Sequence, residues 1–250
     1  MRLIIKKTEH EVDVACAMQV AAQVTLKPNS TIGLATGNTT IGIHDEMVRA
    51  HTDFGVDYSR VKTCNLDEYV GLDAKLPSSC RYRINKGLLE RINIKMENTY
   101  VPNGLTEPIE NEMKTFAETV ERFGGIDLQV LSIGSNGHIA FNEPGTPFES
   151  GIHLAPISQS TVKAKAELFG GEQNVPKYGI SVGLRDIMMM KKILLVAKGK
   201  DKADAIFKTL AGPITTDVPS SELQLHRDLI VIIDEAAASL LPAEIKALAE

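Results

Sequence analysis

Apolar positions along this chain follow two rhythms that alternate from end to end. Short β-type runs occur at Leu3–Ile5, Thr31–Ala35, Val61–Asn65, Ile126–Ile133, Ile193–Ala197 and Leu229–Ile233. Between them the spacing is helical. Over Glu9–Leu26, Val12, Ala15, Cys16, Val20 and Val24 share one side, and Lys27-Pro28-Asn29-Ser30 ends the pattern. Further helices are predicted over Ile41–Ala50, most of Ser78–Arg91, Glu107–Phe123 and the stretch after Lys200, with Gly124-Gly125 stopping the Glu107 helix. Strands alternating with helices imply βαβ crossovers. The predicted fold is therefore α/β, a Rossmann-like three-layer arrangement with a mainly parallel sheet and helices on both faces. No repeat, low-complexity block or linker divides the chain, so one domain over residues 1–250 is expected.

In such sheets ligands bind beyond the carboxyl ends of the strands. Three polar, glycine-bearing segments fall there. Gly33–Thr40 joins a strand to a helix, and Thr36, Gly37, Asn38 and Thr39 offer hydroxyls and backbone N–H groups to an anion, or else form a plain capped turn. It lacks the lysine of a P-loop and the spacing of GxGxxG. Asn65–Leu72 places Asp67 and Glu68 at the end of an apolar strand. Neighbours there point oppositely, so one carboxylate can face a cleft as a base while the other braces the structure. A solvated acidic turn is the plainer alternative. Ser132–Gly145 presents Asn136, His138 and Glu143 within one glycine-lined loop. A histidine transfers protons near neutral pH, and a carboxylate partner raises its basicity. The loop lacks the histidine and cysteine spacing of a zinc site and the elbow of a serine hydrolase.

Composition narrows the function classes. With 43% hydrophobic and 24% charged residues, the 250-residue chain has the balance of a soluble globular protein. Its net charge of −5, mixed along the sequence, argues against nucleic-acid and membrane-surface partners. The apolar stretch at Leu3 is too short for a signal peptide or a spanning helix. Cys16, Cys64 and Cys80 show no CxxC spacing, which suits reduced thiols in the cytoplasm. Cys64 adjoins a candidate site, where it is a small buried hydrophobe in the plainer reading and a reactive thiol in the other. His10, His44, His51 and His153 read as surface or helix residues, and Met188-Met189-Met190 as core or subunit contact.

These segments resemble the glucosamine-6-phosphate deaminase/isomerase family, most densely at Gly33–Thr39, Asn65–Leu72 and Gly137-His138-Ile139-Ala140-Phe141-Asn142-Glu143-Pro144. The resemblance implies conversion of an amino-sugar phosphate, glucosamine 6-phosphate, to fructose 6-phosphate and ammonia in amino-sugar catabolism, with no cofactor and no metal. It implies that His138 opens the sugar ring, oriented by Glu143 with Asn136 beside it. Asp67 would move the proton between C2 and C1, with Glu68 near the substrate in support. The Thr36–Thr39 loop and Lys202 would hold the phosphate. The partner implied is a small molecule, bound by a monomer or a homo-oligomer.

Several positions depart from the family pattern. Asn38 and Thr40 stand where a small residue and a proline are expected. The arginine expected to grip phosphate falls at Ala166 or Glu167, and Lys165 is the nearest cation. The basic pair of the allosteric site falls on His153 and Ala155, and an extended tail is lacking after Glu250, so no activation by N-acetylglucosamine 6-phosphate is expected. Gly183–Ile187 keeps galactosamine 6-phosphate open as the substrate. A 6-phosphogluconolactonase would carry Asp-Glu-Arg where Asp67-Glu68-Tyr69 stands, and a non-catalytic sugar-phosphate sensor would carry a DNA-binding segment.

Overall fold

In the computed structural model, which describes residues 1–250, the apolar runs assemble into a seven-stranded sheet that is parallel throughout. The chain passes through β1 (Arg2–Lys6), α1 (Glu9–Leu26), β2 (Thr31–Leu34), α2 (Ile41–Phe54), β3 (Lys62–Asn65), β4 (Asp67–Tyr69), α3 (Cys80–Gly87), β5 (Thr99–Tyr100) and α4 (Ile109–Arg122). There follow β6 (Leu128–Ser132), β7 (His153–Pro156), α5 (Gln159–Phe169), β8 (Tyr178–Ser181), α6 (Leu184–Met188), β9 (Ile193–Ala197), α7 (Ala203–Ala211), β10 (Leu229–Asp234) and α8 (Ala243–Lys246). The strand order is β1-β10-β9-β6-β2-β3-β5.

Alternation along each strand sorts the core into two layers. Ile32, Leu34, Val130, Leu194, Ile230 and Ile232 pack with Val12, Cys16 and Val20 of α1 and Ile43 and Met47 of α2. The intervening residues Leu131, Leu195, Val231 and Ile233 pack with Phe116 of α4 and Ile206 and Leu210 of α7. Helices thus cover both faces, as the alternating pattern predicts. The first helix is closed by a capping box: the Thr8 hydroxyl accepts from Glu11 N, and the Glu11 carboxylate accepts from Thr8 N. No helix is long and apolar enough to cross a membrane.

A second sheet departs from the sequence expectation. β4, β8 and β7 form a three-stranded antiparallel sheet in that order. Asp-Glu-Tyr, Tyr-Gly-Ile-Ser and His-Leu-Ala-Pro are too short and too polar to announce themselves by period. The helix predicted over Ser78–Arg91 is also shorter, ending at Gly87 before a single 3₁₀ turn at Leu89–Arg91. His44 is buried rather than superficial, and burial pushes its ring down to about 4, so it stays neutral.

The small sheet positions the site through one close contact. Gly179 of β8 lies under the Phe141 ring, which a Cβ at that position would meet at 2.4 Å. Gly179→Ala should therefore cost about 1–3 kcal/mol of stability by overpacking. Urea unfolding would read it, and an unchanged midpoint would show that the ring has room to move.

Candidate functional site

The chain reverses direction across the sheet at β2. The crossover after β2 leads to β3 on one side, whereas β6, its other neighbour, leads on towards β9. The loops after β2 and β6 diverge, and a cleft opens between them, the expected ligand position for an open α/β sheet. The cleft has a volume of about 240 Å³. Thr36, Gly37, Asn38, Thr39, Asp67, Asn136, His138 and Lys202 all line it. A larger hollow of about 560 Å³ between α4 and α6 has mainly apolar walls, and its Arg185 and Asp186 are paired with each other at 3.2 Å. Cys64 faces that hollow instead of the cleft and is buried, with its thiol pushed up to about 12 by burial, in keeping with the plainer reading of a small buried hydrophobe.

Asp67 and Glu68 part company as the strand pleat requires. Asp67 faces the cleft, where its Oδ1 lies 3.6 Å from the Cys80 thiol. Burial, aided by the charge of Glu68, raises its carboxyl to about 6, against the pull of Cys80, Lys165 and His138. Glu68 does not line the cleft, contrary to its expected place beside the substrate. It is 2% exposed and accepts from Tyr69 N at 2.9 Å, Ser79 Oγ at 2.8 Å, Cys80 N at 3.0 Å and Arg81 N at 2.9 Å. A carboxylate on the first N–H groups of α3 satisfies donors that the helix cannot.

The loop after β6 is folded back on itself and stapled to the small sheet. Gly134 N donates to His138 O at 2.9 Å, and the Asn142 amide donates to Ile139 O and Val182 O, both at 2.9 Å. Phe141 N donates to Ser181 Oγ at 3.1 Å. Ala140 takes the left-handed backbone region at φ 52, a strain of about 1 kcal/mol held by those bonds. The His138 ring lies over Gly134, where a Cβ would meet ring atoms at 2.4–2.6 Å, so only glycine admits the ring there.

His138 Nδ1 lies 3.3 Å from Glu143 Oε2, within ion-pair reach and out of line for a straight hydrogen bond. Glu143 sits behind the histidine, and its remaining capacity is filled. Thr161 Oγ1 donates to Oε1 at 2.5 Å and Asn136 Nδ2 to Oε2 at 2.8 Å, while Asn136 Oδ1 accepts from His138 N at 3.1 Å. Burial pushes the Glu143 carboxyl up, but the His138 ring, the Thr161 hydroxyl and the Asn136 amide outweigh it and hold it at about 2. It is a permanent anion whose charge the neighbouring ring feels.

The rim of the cleft is cationic. Lys202, Lys165 of α5 and Arg83 of α3 line it with the loop after β2. Thr40 Oγ1 secures that loop by donating to Ala35 O at 3.0 Å and Gly37 O at 2.9 Å. Sequence reasoning missed Arg83, Cys80 and Thr161 as site residues, because each comes from a helix remote from the three signal segments and none sits in a distinctive pattern.

A family model described as glucosamine-6-phosphate isomerases/6-phosphogluconolactonase matches residues 6–231. The glucosamine-6-phosphate deaminase of Clostridioides difficile strain 630 is 45% identical over 96% of this chain and 97% of that protein. Its counterpart in Clostridium perfringens strain 13 is 43% identical over 96% of this chain and all of that protein. The solved structure of a monomeric glucosamine-6-phosphate deaminase superposes with a TM-score of 0.94 at 38% identity, over 96% of this chain and all of that one. The 6-phosphogluconolactonase of Trypanosoma brucei, at 15% identity and a TM-score of 0.77 over 96% of this chain and 98% of that one, shares the fold.

Any turnover that draws on Asp67 as a base needs its carboxylate form. Since the folded carboxyl is raised to about 6, kcat/KM should fall about tenfold per pH unit below that value. Lys165 lowers the Asp67 carboxyl, so Lys165→Met should move the acid limb to higher pH. Ionisation of the substrate is common to both proteins and cancels in the comparison. An acid limb that stays put in the variant would remove Asp67 as its source.

Proposed function

We infer the activity of this chain from the family to which it belongs, the glucosamine-6-phosphate isomerases/6-phosphogluconolactonases: it is a glucosamine-6-phosphate deaminase, converting glucosamine 6-phosphate and water to fructose 6-phosphate and ammonia. The observation that carries the reading is that a carboxylate and a histidine, Asp67 and His138, line one cleft together with the Thr36–Thr39 loop. Asp67 is raised to about 6, and His138 is backed by Glu143, held at about 2. Pairs of groups tuned apart by their surroundings mark acid and base roles.

The proposed sequence of events starts with the closed sugar. His138 moves the proton that opens the ring, with Glu143 stabilising the imidazolium that forms and Asn136 fixing both partners. Asp67 then takes the C2 proton and returns it at C1, converting the open-chain amine to a ketose imine. Water adds to the imine carbon and ammonia leaves, so atoms balance with one water consumed. The step moves protons and no net electrons, which is why the reading calls for no redox cofactor. The loop Thr36-Gly37-Asn38-Thr39 and Lys202 hold the phosphate and supply remote binding energy for orientation.

We propose that the site works within a monomer or within each subunit of a homo-oligomer, from the groups this one chain brings together. We place the enzyme in the cytoplasm, in amino-sugar catabolism, with N-acetylglucosamine as the upstream source.

The direct assay is release of ammonia and fructose 6-phosphate from glucosamine 6-phosphate, with galactosamine 6-phosphate alongside. Turnover of glucosamine 6-phosphate is expected, and silence on it with turnover of the C4 epimer would reassign the substrate. Asp67→Asn should lower kcat by about a thousandfold with binding retained. Glu143→Gln should slow the closed sugar more than an open-chain analogue, and equal losses on both would contradict its part in ring opening.

A further inference from the structure

The cleft has a gap in its expected equipment and an unexplained cation in its wall. The helix α5 offers no arginine: its Lys165 lines the cleft, while Ala166 and Glu167 do not, and Glu167 is exposed. The helix α3 offers one that no signal in the sequence singled out. We propose that Arg83 supplies the guanidinium grip on the substrate phosphate, reaching the β2 loop from α3 in place of an arginine on α5. This rests on the reading of the cleft as a sugar-phosphate site and adds the residue that selects the phosphorylated sugar.

Four observations converge on Arg83. It lines the same cleft as Lys165 and Lys202, so a dianion bound there would meet a field of three positive side chains. Its Nη2 donates to Asn38 Oδ1 at 3.0 Å, which aims the side chain at the anion loop and occupies one of five donors. The free edge of the fork retains the paired N–H groups that match two phosphate oxygens. Among the cations on and near α3, Lys86 is paired with Glu90 at 2.6 Å, Arg91 with Asp45 at 2.6 Å, and Arg81 donates to Thr99 Oγ1 at 3.3 Å away from the cleft, whereas Arg83 lines the cleft and has no carboxylate partner. Lys165 likewise has none, and its ammonium is held down by burial and by the charge of Arg83, as expected for cations gathered to receive an anion.

The proposal also joins two departures in the sequence. Asn38 stands where a small residue was expected, and its longer side chain carries the amide oxygen that accepts from the guanidinium. The longer amide and the relocated arginine form one unit, so each change makes sense only with the other. The arm is firmly based as well. Glu68, next to the candidate base Asp67, accepts from Cys80 N and Arg81 N at the start of α3. One buried carboxylate therefore fixes the distance between the proton-moving end of the cleft and the phosphate end.

Steady-state kinetics on the full chain with R83A and R83K test this. R83A should raise KM for glucosamine 6-phosphate and the inhibition constant for inorganic phosphate together, by about 30- to 100-fold, the scale of charge-assisted hydrogen bonds lost. R83K should recover part of both, as a point charge without the fork. On unphosphorylated glucosamine the loss should be less than about threefold. Unchanged KM and phosphate inhibition would overturn the proposal, as would equal losses on the phosphorylated and unphosphorylated sugars, which mark a structural role. Should R83A not fold, R83Q reads the same quantities. If the wild-type protein releases no ammonia, the deaminase reading fails. Calorimetric titration of inorganic phosphate into wild type and R83A then decides the role of Arg83 alone: weaker binding in R83A upholds it, and equal binding refutes it.

Discussion

The buried carboxylate of Glu68 is the constraint on which the site depends. Two charges side by side at a strand end would ordinarily both seek water. Here the pleat sends Glu68 inward, where it accepts four hydrogen bonds from Tyr69, Ser79, Cys80 and Arg81. Hydrogen bonds to a charged acceptor contribute about 1.5–3 kcal/mol each, enough together to offset several kcal/mol of desolvation. The bonds cross from β4 to α3, so the short strand and the helix cannot move independently. Asp67 is thereby held in the cleft wall, and the charge of Glu68 behind it helps keep it protonated to a higher pH than an ordinary aspartate.

Environment then divides the remaining acid–base work. Glu143 is buried and Asp67 half-buried, and desolvation pushes both carboxyls upward. The difference lies in their donors. Glu143 receives a threonine hydroxyl, an asparagine amide and the histidine ring, and ends at about 2. Asp67 receives only a thiol, a weak donor, and ends at about 6. One carboxylate is fixed as a charge that supports His138, and the other is left able to gain and lose a proton. Asn136 fits this division, since an amide cannot compete for the proton yet bonds to both neighbours.

The small antiparallel sheet gives these groups their frame. β4 carries Asp67, β8 pairs with it residue for residue, and the loop bearing His138 is pinned to β8 through Phe141 and Asn142. The α5 helix, which follows β7, delivers Thr161 to Glu143 and Lys165 to the cleft. Asp67, the loop bearing His138, and Glu143 with its Thr161 partner are thus referred to one compact substructure beside the parallel sheet.

The sequence by itself determined the parallel sheet, most of its helices and the three loops that line the cleft. Long runs of buried β-branched residues and an uninterrupted apolar helix face such as Val12–Val24 encode local geometry that neighbours only reinforce. Glycine-lined polar segments at strand ends likewise declare their position, which is why Asp67, His138 and Thr36–Thr39 were legible together. Tertiary structure alone decided the rest. Whether Asp67 or Glu68 faces the cleft turns on the phase of a three-residue strand, and the pleat cannot be phased until β8 pairs with it. The state of Glu143 depends on Thr161, 18 positions away, and the cationic rim on Arg83, 45 positions from Asn38. Those relations arise only when helices dock, because a side chain's electrostatic surroundings are set by its neighbours in space and the sequence orders neighbours only along the chain.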